Sequence, residues 1–283
     1  VDGATIIGWA NAGQAGLNFY GQTYGLDRDG NEYEFYNPDQ PWVSSDMDTE
    51  SQEWINAVNV RKAMNIAIDR QSIVDEILSG FGEVQSLRDW MGHEDRANPD
   101  WVYPYDPELA RRMLADAGYP DGFNITLTPA IRGAPGEGEA CEAVAYYWED
   151  IGIDVRLEFV PYATIRPDLV SRRYQGVPCH AVGKRASPIV AASNYLTNST
   201  FSYGTHPPWL DEHIWDSKQQ VEQSRIEAGE LEIYNWIFDN AIMSSLYTHD
   251  AIWPIGPRLD PSWQPIDHSE IRIATAFEYA RPR

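Results

Sequence analysis

Positive charge is scarce in this sequence. Forty-three Asp and Glu stand against 21 Lys and Arg, a formal net charge of −22. That balance excludes nucleic acid as a partner, because phosphate neutralisation needs clustered Lys and Arg. The same shortage excludes docking on an anionic membrane surface. The acidity itself reads as a soluble, self-repelling surface and not as a site. Cysteine is scarcer still: Cys141 and Cys179 are the only two. They fit no metal-ligand spacing, which leaves one disulfide in an oxidising compartment or two buried thiols. The six histidines, His93, His180, His206, His213, His249 and His268, include no pair at i, i+4, so no metal site is expected. There is no Gly-x-Ser-x-Gly elbow and no P-loop. No apolar run approaches the roughly 18 residues of a membrane span. No signal peptide is visible, and a chain opening at Val1 reads as a mature or trimmed form. The many carboxylates and 11 Trp would suit a glycosidase. However, Asp211 and Glu212 are sequence neighbours and do not face each other on a helix. Neither an enzyme nor a cofactor is expected.

What is present is a foldable core. The chain is 43% hydrophobic and 12% aromatic over 283 residues, which suits one large domain or two smaller ones. Residues 1–50 read as short strands and loops, and 34–42 (EFYNPDQPW) as a strand turning from one domain into another. Apolar residues at helical spacing predict helices over about 57–68 and 70–79, the second stopped by Gly80 and Gly82. Residues 83–104 read as a long aromatic loop. Asp106 is a natural N-cap, Pro107 suits the first helical position, and Gly118 offers the left-handed turn that ends the helix. Alternation at 123–127, a helix over 140–151 and alternation at 153–159 make a βαβ unit with a parallel pair. A helix over 165–173, a short strand over 177–182 and helices over about 211–224 and 228–241 follow, then strand and loop. There is no internal repeat or low-complexity run.

Two long segments now carry a resemblance. VNVRKAMNIAIDRQSIVDEILSGFGE (58–83) and YDPELARRMLADAGYPDGFNITL (105–127) resemble the hallmark signatures of family 5 extracellular solute-binding proteins, the dipeptide, oligopeptide and nickel group. The continuation EDIGIDVRLEFV (149–160) is similar to the same family. The resemblance implies a periplasmic-binding-protein-like α/β lobe, with a mixed sheet flanked by helices. It implies the end of a first lobe at 1–40, the second ligand-binding lobe at 41–247, and a return to the first lobe at 248–283. It also implies a periplasmic or extracellular monomer, lipid-anchored in some full-length forms. Such a protein captures a peptide-like, sugar or other polar small solute and delivers it to the membrane permease of an ABC importer. A sensory or scaffold protein that presents ligand on the same fold is the alternative.

The hallmark residues themselves read as structural. Asp69-Arg70 is a capping pair at a helix junction, and Asp106 is an N-cap. Candidate ligand contacts lie elsewhere. Peptide-binding members of the family carry a Gly-Trp pair after the strand near 180, with an acid just beyond that holds the peptide's amino terminus. Here Gly183 is followed by Lys184 and Arg185, and no acid appears before Pro188. A cation there suits a carboxylate or phosphate, and Arg is the better anchor because its planar fork makes two parallel hydrogen bonds. Arg173 could assist from before the strand, and Ser187 follows the cations. Trp90, Trp101, Tyr195, Tyr203 and Trp209 lie on irregular segments, where aromatics either pack under loops or stack on a ligand.

Overall fold

The computed structural model describes residues 4–27, 29–183, 185–195, 207–260, 262 and 281–282. One mixed sheet organises them, in the order β2-β7-β1-β6-β3-β4. Its strands are β1 (Thr5–Asn18), β2 (Gly82–Val84), β3 (Asn124–Ile131), β4 (Asp154–Leu157), β6 (Val177–Gly183) and β7 (Met243–Ile255), with the short β5 (Val160–Pro161) also on β3. The helices are α1 (Gln52–Ile66), α2 (Arg70–Ser72, continued as a π-helical turn Ile73–Ile77), α3 (Pro107–Asp116), α4 (Glu137–Asp150), α5 (Tyr162–Val170), α6 (Pro188–Ala192), α7 (Pro208–Gln219) and α8 (Gln223–Asp239).

The expected βαβ unit is present. β3, α4 and β4 form it, with β3 and β4 parallel from Asn124↔Asp154 to Leu127↔Leu157. β6 lies parallel to β3 on its other side, and β1 and β7 complete the sheet as antiparallel strands. The expected caps also form. Asp106 Oδ1 accepts the N–H of Leu109 at 2.8 Å, and Gly118 takes φ +99° just beyond α3. Asp69 Oδ1 accepts the N–H of Ser72 at 3.0 Å. Arg70 is buried and gives its guanidinium N–H groups to Ser245 O, Asn65 O, Asn65 Oδ1 and Ser244 Oγ. Burial pulls its pKa down to about 10.

Two expectations for the first fifty residues are corrected. One 14-residue strand, β1, stands where short strands and loops were expected. Over 13–18 it runs between β6 and β7 and is covered on both faces, so the two-residue alternation is lost there: Gln14 and Asn18 are as buried as Ala15 and Leu17. Gly16 permits the close approach of β7, since a Cβ there would lie 2.5 Å from Ser244 O. Residues 34–42 form turns and not a strand. Trp42 anchors them, fully buried, with its indole N–H on Tyr20 O at 2.7 Å.

The sheet separates two cores. On one face α1, α3 and α4 close over Leu17, Leu127 and Cys179, with Trp148 and Met64 at the centre. Trp42 and Val43 belong to this same cluster, as do Ala15 and Phe19, so residues 15–43 pack with the later segments in one core. On the other face α6, α7, α8 and the 87–101 loop gather around Tyr234, Ile237 and Met243. α5 covers Ala130 and Tyr20 beside them. Cys141 of α4 and Cys179 of β6 are disulfide-bonded, with Cα atoms 6.0 Å apart, which settles the choice left open by the sequence.

Candidate functional site at the carboxyl edge of the sheet

The parallel strands β3 and β6 end at Ile131 and Gly183 on the same edge. In open α/β sheets ligands sit in the crevice beyond such carboxyl ends. Arg132 follows β3 directly. Its guanidinium lies 4.2 Å from the centroid of the Tyr162 ring, and its Nη1 donates to Ala181 O at 2.9 Å. The loop beneath it is fixed by Glu137, the first residue of α4, which is 2% exposed. Glu137 Oε2 accepts the N–H groups of Arg132 and Gly133 at 2.8 Å and of Ala134 at 3.2 Å, and its Oε1 accepts the N–H of Ala181 at 2.7 Å. One buried carboxylate thus joins the ends of both parallel strands.

His180 is the next link. Its ring lies 5.2 Å from that of Tyr162, and its Nε2 is 3.5 Å from Asn18 Nδ2. Asn18 Oδ1 accepts from Arg88 Nη2 at 2.8 Å. With Oδ1 engaged as acceptor, the Asn18 amide donates to Nε2. The His180 proton is then placed on Nδ1, which lies 3.1 Å from Ala181 O. A continuous line therefore runs from Arg132 through Tyr162, His180 and Asn18 to Arg88.

Asp89 ends that line. It is 5% exposed and adopts φ +79°, and its N–H donates to Gln14 Oε1 at 3.2 Å. The Arg88 guanidinium lies 3.9 Å from Asp89 Oδ1. Burial pushes the Asp89 carboxyl above the usual carboxylate range, against the pull of Arg88 and Arg185. Asp89 Oδ2, Gln14 Nε2, Trp90 Nε1 and Thr248 Oγ1 are buried without a hydrogen-bond partner among the described residues.

The residues singled out from the sequence divide around this edge. Arg185 lies two residues beyond β6, is exposed, and acts electrostatically on Asp89. Ser187 caps α6, its side chain accepting the N–H of Val190. Arg173 is not brought here. It precedes the amino end of β6 and pairs with Asp168 at 3.0 Å. A separate cavity of about 280 Å³ near that end is lined by Gln22, Tyr33, Phe35 and Arg172, among others. Trp90 is 2% exposed and packs against Trp101 and Tyr234, with centroids 4.8 and 5.7 Å away, so it belongs to the core of the wall. Trp209 is partly exposed on α7, edge-on to Trp236. Lys184, Tyr203 and the side chain of Tyr195 lie outside the described residues. Arg132, Tyr162, His180, Arg88 and Asp89 escaped the sequence reading. For Arg132 a signal existed: a charged residue at the carboxyl end of a βαβ strand, opening a Gly/Pro loop. For Arg88 and Asp89 there was none.

A curled mixed sheet flanked by helices, with polar groups gathered at the carboxyl edge, defines the periplasmic-binding-protein fold. A solved structure shares it: an ABC transporter-associated periplasmic binding protein from Helicobacter pylori, in complex with the peptide STSA. It superposes with a TM-score of 0.65 at 18% identity, covering 92% of this chain and 46% of that one. The family model for bacterial extracellular solute-binding proteins, family 5, middle part, matches residues 6–203, and the chain belongs to that family. It is 35% identical over 101 residues to heme-binding protein A of Haemophilus influenzae, covering 34% of this chain and 18% of that protein. It is 36% identical over 204 residues to a glutathione-binding protein of Pectobacterium atrosepticum, covering 70% of this chain and 37% of that protein. The chain thus spans about half the length of its structural relative and less of these two.

Proposed function

We propose that this chain forms the second ligand-binding lobe of the extracytoplasmic component of an ABC importer, which captures a polar small solute and hands it to a membrane permease. It does so by reversible binding, without chemistry, in the periplasm or outside the cell, as a free or lipid-anchored monomer. Family membership supports the class. One observation carries the reading: Arg132, stacked on Tyr162, follows the end of β3, and the exposed Arg185 lies two residues past the end of β6, with the buried, hydrogen-bonded His180, Asn18 and Arg88 behind Tyr162. The relatives named for heme, glutathione and a peptide bind solutes that differ in shape, so the solute of this chain follows from its own residues.

The opposite wall of the cleft belongs to the rest of the full-length protein. The route to it is the ribbon in which Thr5–Trp9 pairs with Ala251–Ile255, where Ile6 and Ile252 are exposed. Closure about that ribbon is a hinge motion. Arg185 lines the cleft in this reading, with Ser187 and Trp209 near its rim, while Trp90 supports it from below. In the full-length protein, Arg185→Ala should weaken binding of the solute that copurifies by about tenfold or more. A charge-assisted hydrogen bond contributes about 1.5–3 kcal/mol in a partly dry cleft. Unchanged affinity by calorimetry would remove Arg185 from the site.

A further inference from the structure

We propose that this lobe carries a second small-solute site, away from the carboxyl edge, which takes a zwitterion of free amino-acid size that bears N–H groups. The site lies at the opposite edge of the sheet, where the chain leaves β1 and the N–H of Tyr20 donates to Gly176 O at 3.2 Å. The proposal does not depend on where the transported solute binds.

The cavity at that edge has a volume of about 280 Å³. Pockets for drug-sized ligands span about 300–1,000 Å³, so this one suits a smaller solute. Two segments wall it. One is the turn that carries Tyr33, Glu34 and Phe35. The N–H of Tyr33 donates to Gly25 O at 2.8 Å, and Phe35 O accepts from Gln175 Nε2 at 3.3 Å, so the turn is tied to the residues just before β6. The other wall is the carboxyl end of α5, with Ser171 and Arg172. Gln22 completes the lining. It is 2% exposed, and its Oε1 is buried without a hydrogen-bond partner among the described residues. A buried oxygen of that kind calls for a donor. Gln22 and Arg172 also hold left-handed backbone, with φ +63° and +62°. Side chains rarely adopt that conformation, and it gathers at ligand sites.

The lining offers both signs of partner. Gln22 Oε1 and the exposed Glu34 carboxylate accept hydrogen bonds, and the Arg172 guanidinium donates them. Burial lowers the Arg172 pKa, against the pull of Tyr33, Asp211 and Tyr20. A guanidinium has five N–H donors, so partners on the protein and a ligand carboxylate are compatible. Arg173 is directed elsewhere, onto Asp168 at 3.0 Å. A plain cation would meet Arg172, and a plain anion would meet Glu34. A zwitterion pairs with both: its ammonium supplies N–H donors to Gln22 Oε1 and Glu34, and its carboxylate matches the planar fork of Arg172. A quaternary ammonium has no N–H to give Gln22.

The test titrates glycine, β-alanine and 4-aminobutyrate into the full-length protein by calorimetry, with methylammonium, acetate and trimethylglycine as controls. At least one of the three zwitterions should bind tighter than every control by about tenfold or more, since each control lacks the carboxylate, the ammonium or the N–H groups. Gln22→Leu keeps the size of the side chain and removes the acceptor, and it should weaken that binding about tenfold. Glu34→Gln, at an exposed position, should weaken it as well. If Gln22→Leu does not fold, Glu34→Gln carries the test, and unchanged affinity in it overturns the proposal. A control that binds as tightly as the zwitterions overturns it too. Loss of binding in Arg185→Ala with none in Gln22→Leu would place the zwitterion at the carboxyl edge and overturn the second site. If none of the three zwitterions binds, the cavity holds water alone and the proposal falls, while the importer reading stands.

Discussion

Glu137 accepts the backbone N–H of Ala181 at 2.7 Å, and through that bond the loop after β3 is fastened to the end of β6. The same carboxylate holds the N–H groups of Arg132, Gly133 and Ala134, so it sets where the Arg132 side chain begins.

Replacing Glu137 should therefore cost more than an ordinary buried side chain. Glu137→Gln removes one acceptor oxygen and brings a donor among groups that are all donors. Each buried N–H left unpaired costs about 1–3 kcal/mol. The expected loss is about 3 kcal/mol or more in urea unfolding, and a loss below about 1 kcal/mol would mean that the loop re-forms its bonds elsewhere.

Arg70 should tolerate no conservative exchange. Its guanidinium serves four acceptors on Asn65, Ser244 and Ser245, and stacks 5.5 Å from the Tyr103 ring. Lysine carries three donors on one nitrogen and cannot span them. Arg70→Lys should lower stability by about 3 kcal/mol or more, since at least two buried acceptors lose their donors. A midpoint shift in thermal unfolding of only a degree or two would contradict that.

The bond between Cys141 and Cys179 spans a sequence separation of 38 residues. Chain-entropy reasoning assigns such a cross-link about 3–4 kcal/mol, through the unfolded state. The double Cys→Ala variant should unfold earlier in urea by that amount, and the intact protein should yield no free thiol when denatured without reductant.

Asp89 gives a pH dependence with a definite sign. Burial raises its folded pKa above the unfolded value. A raised carboxyl contributes stability that is fully present below the unfolded pKa and is lost as pH rises through the folded one. Asp89→Asn carries no such charge, and Asn tolerates the left-handed backbone at this position. The variant should therefore gain on the natural protein as pH rises from the ordinary carboxylate range, and the gap should level off above the folded pKa. A gap that narrows with rising pH would mean that Arg88 and Arg185 outweigh burial.

The sequence alone determined the local elements and the family. Asp106, Pro107 and Gly118 act only on their own turns, and the helix they bound runs where their spacing placed it. The alternation at 123–127 and 153–159 and the helix between them sufficed for the βαβ unit, because crossover handedness and pairing follow from local geometry. Only the tertiary structure decided the central strand and the site. Residues 13–18 of β1 are covered on both faces, so polar and apolar residues are equally buried there and the period vanished from the sequence. Arg88 reaches Asn18 across 70 residues, and Glu137 reaches Ala181 across 44. A contact between distant segments leaves no periodic trace in either. The two cysteines were legible as a pair, but whether they bond depended on α4 lying against β6, which is a fact of packing.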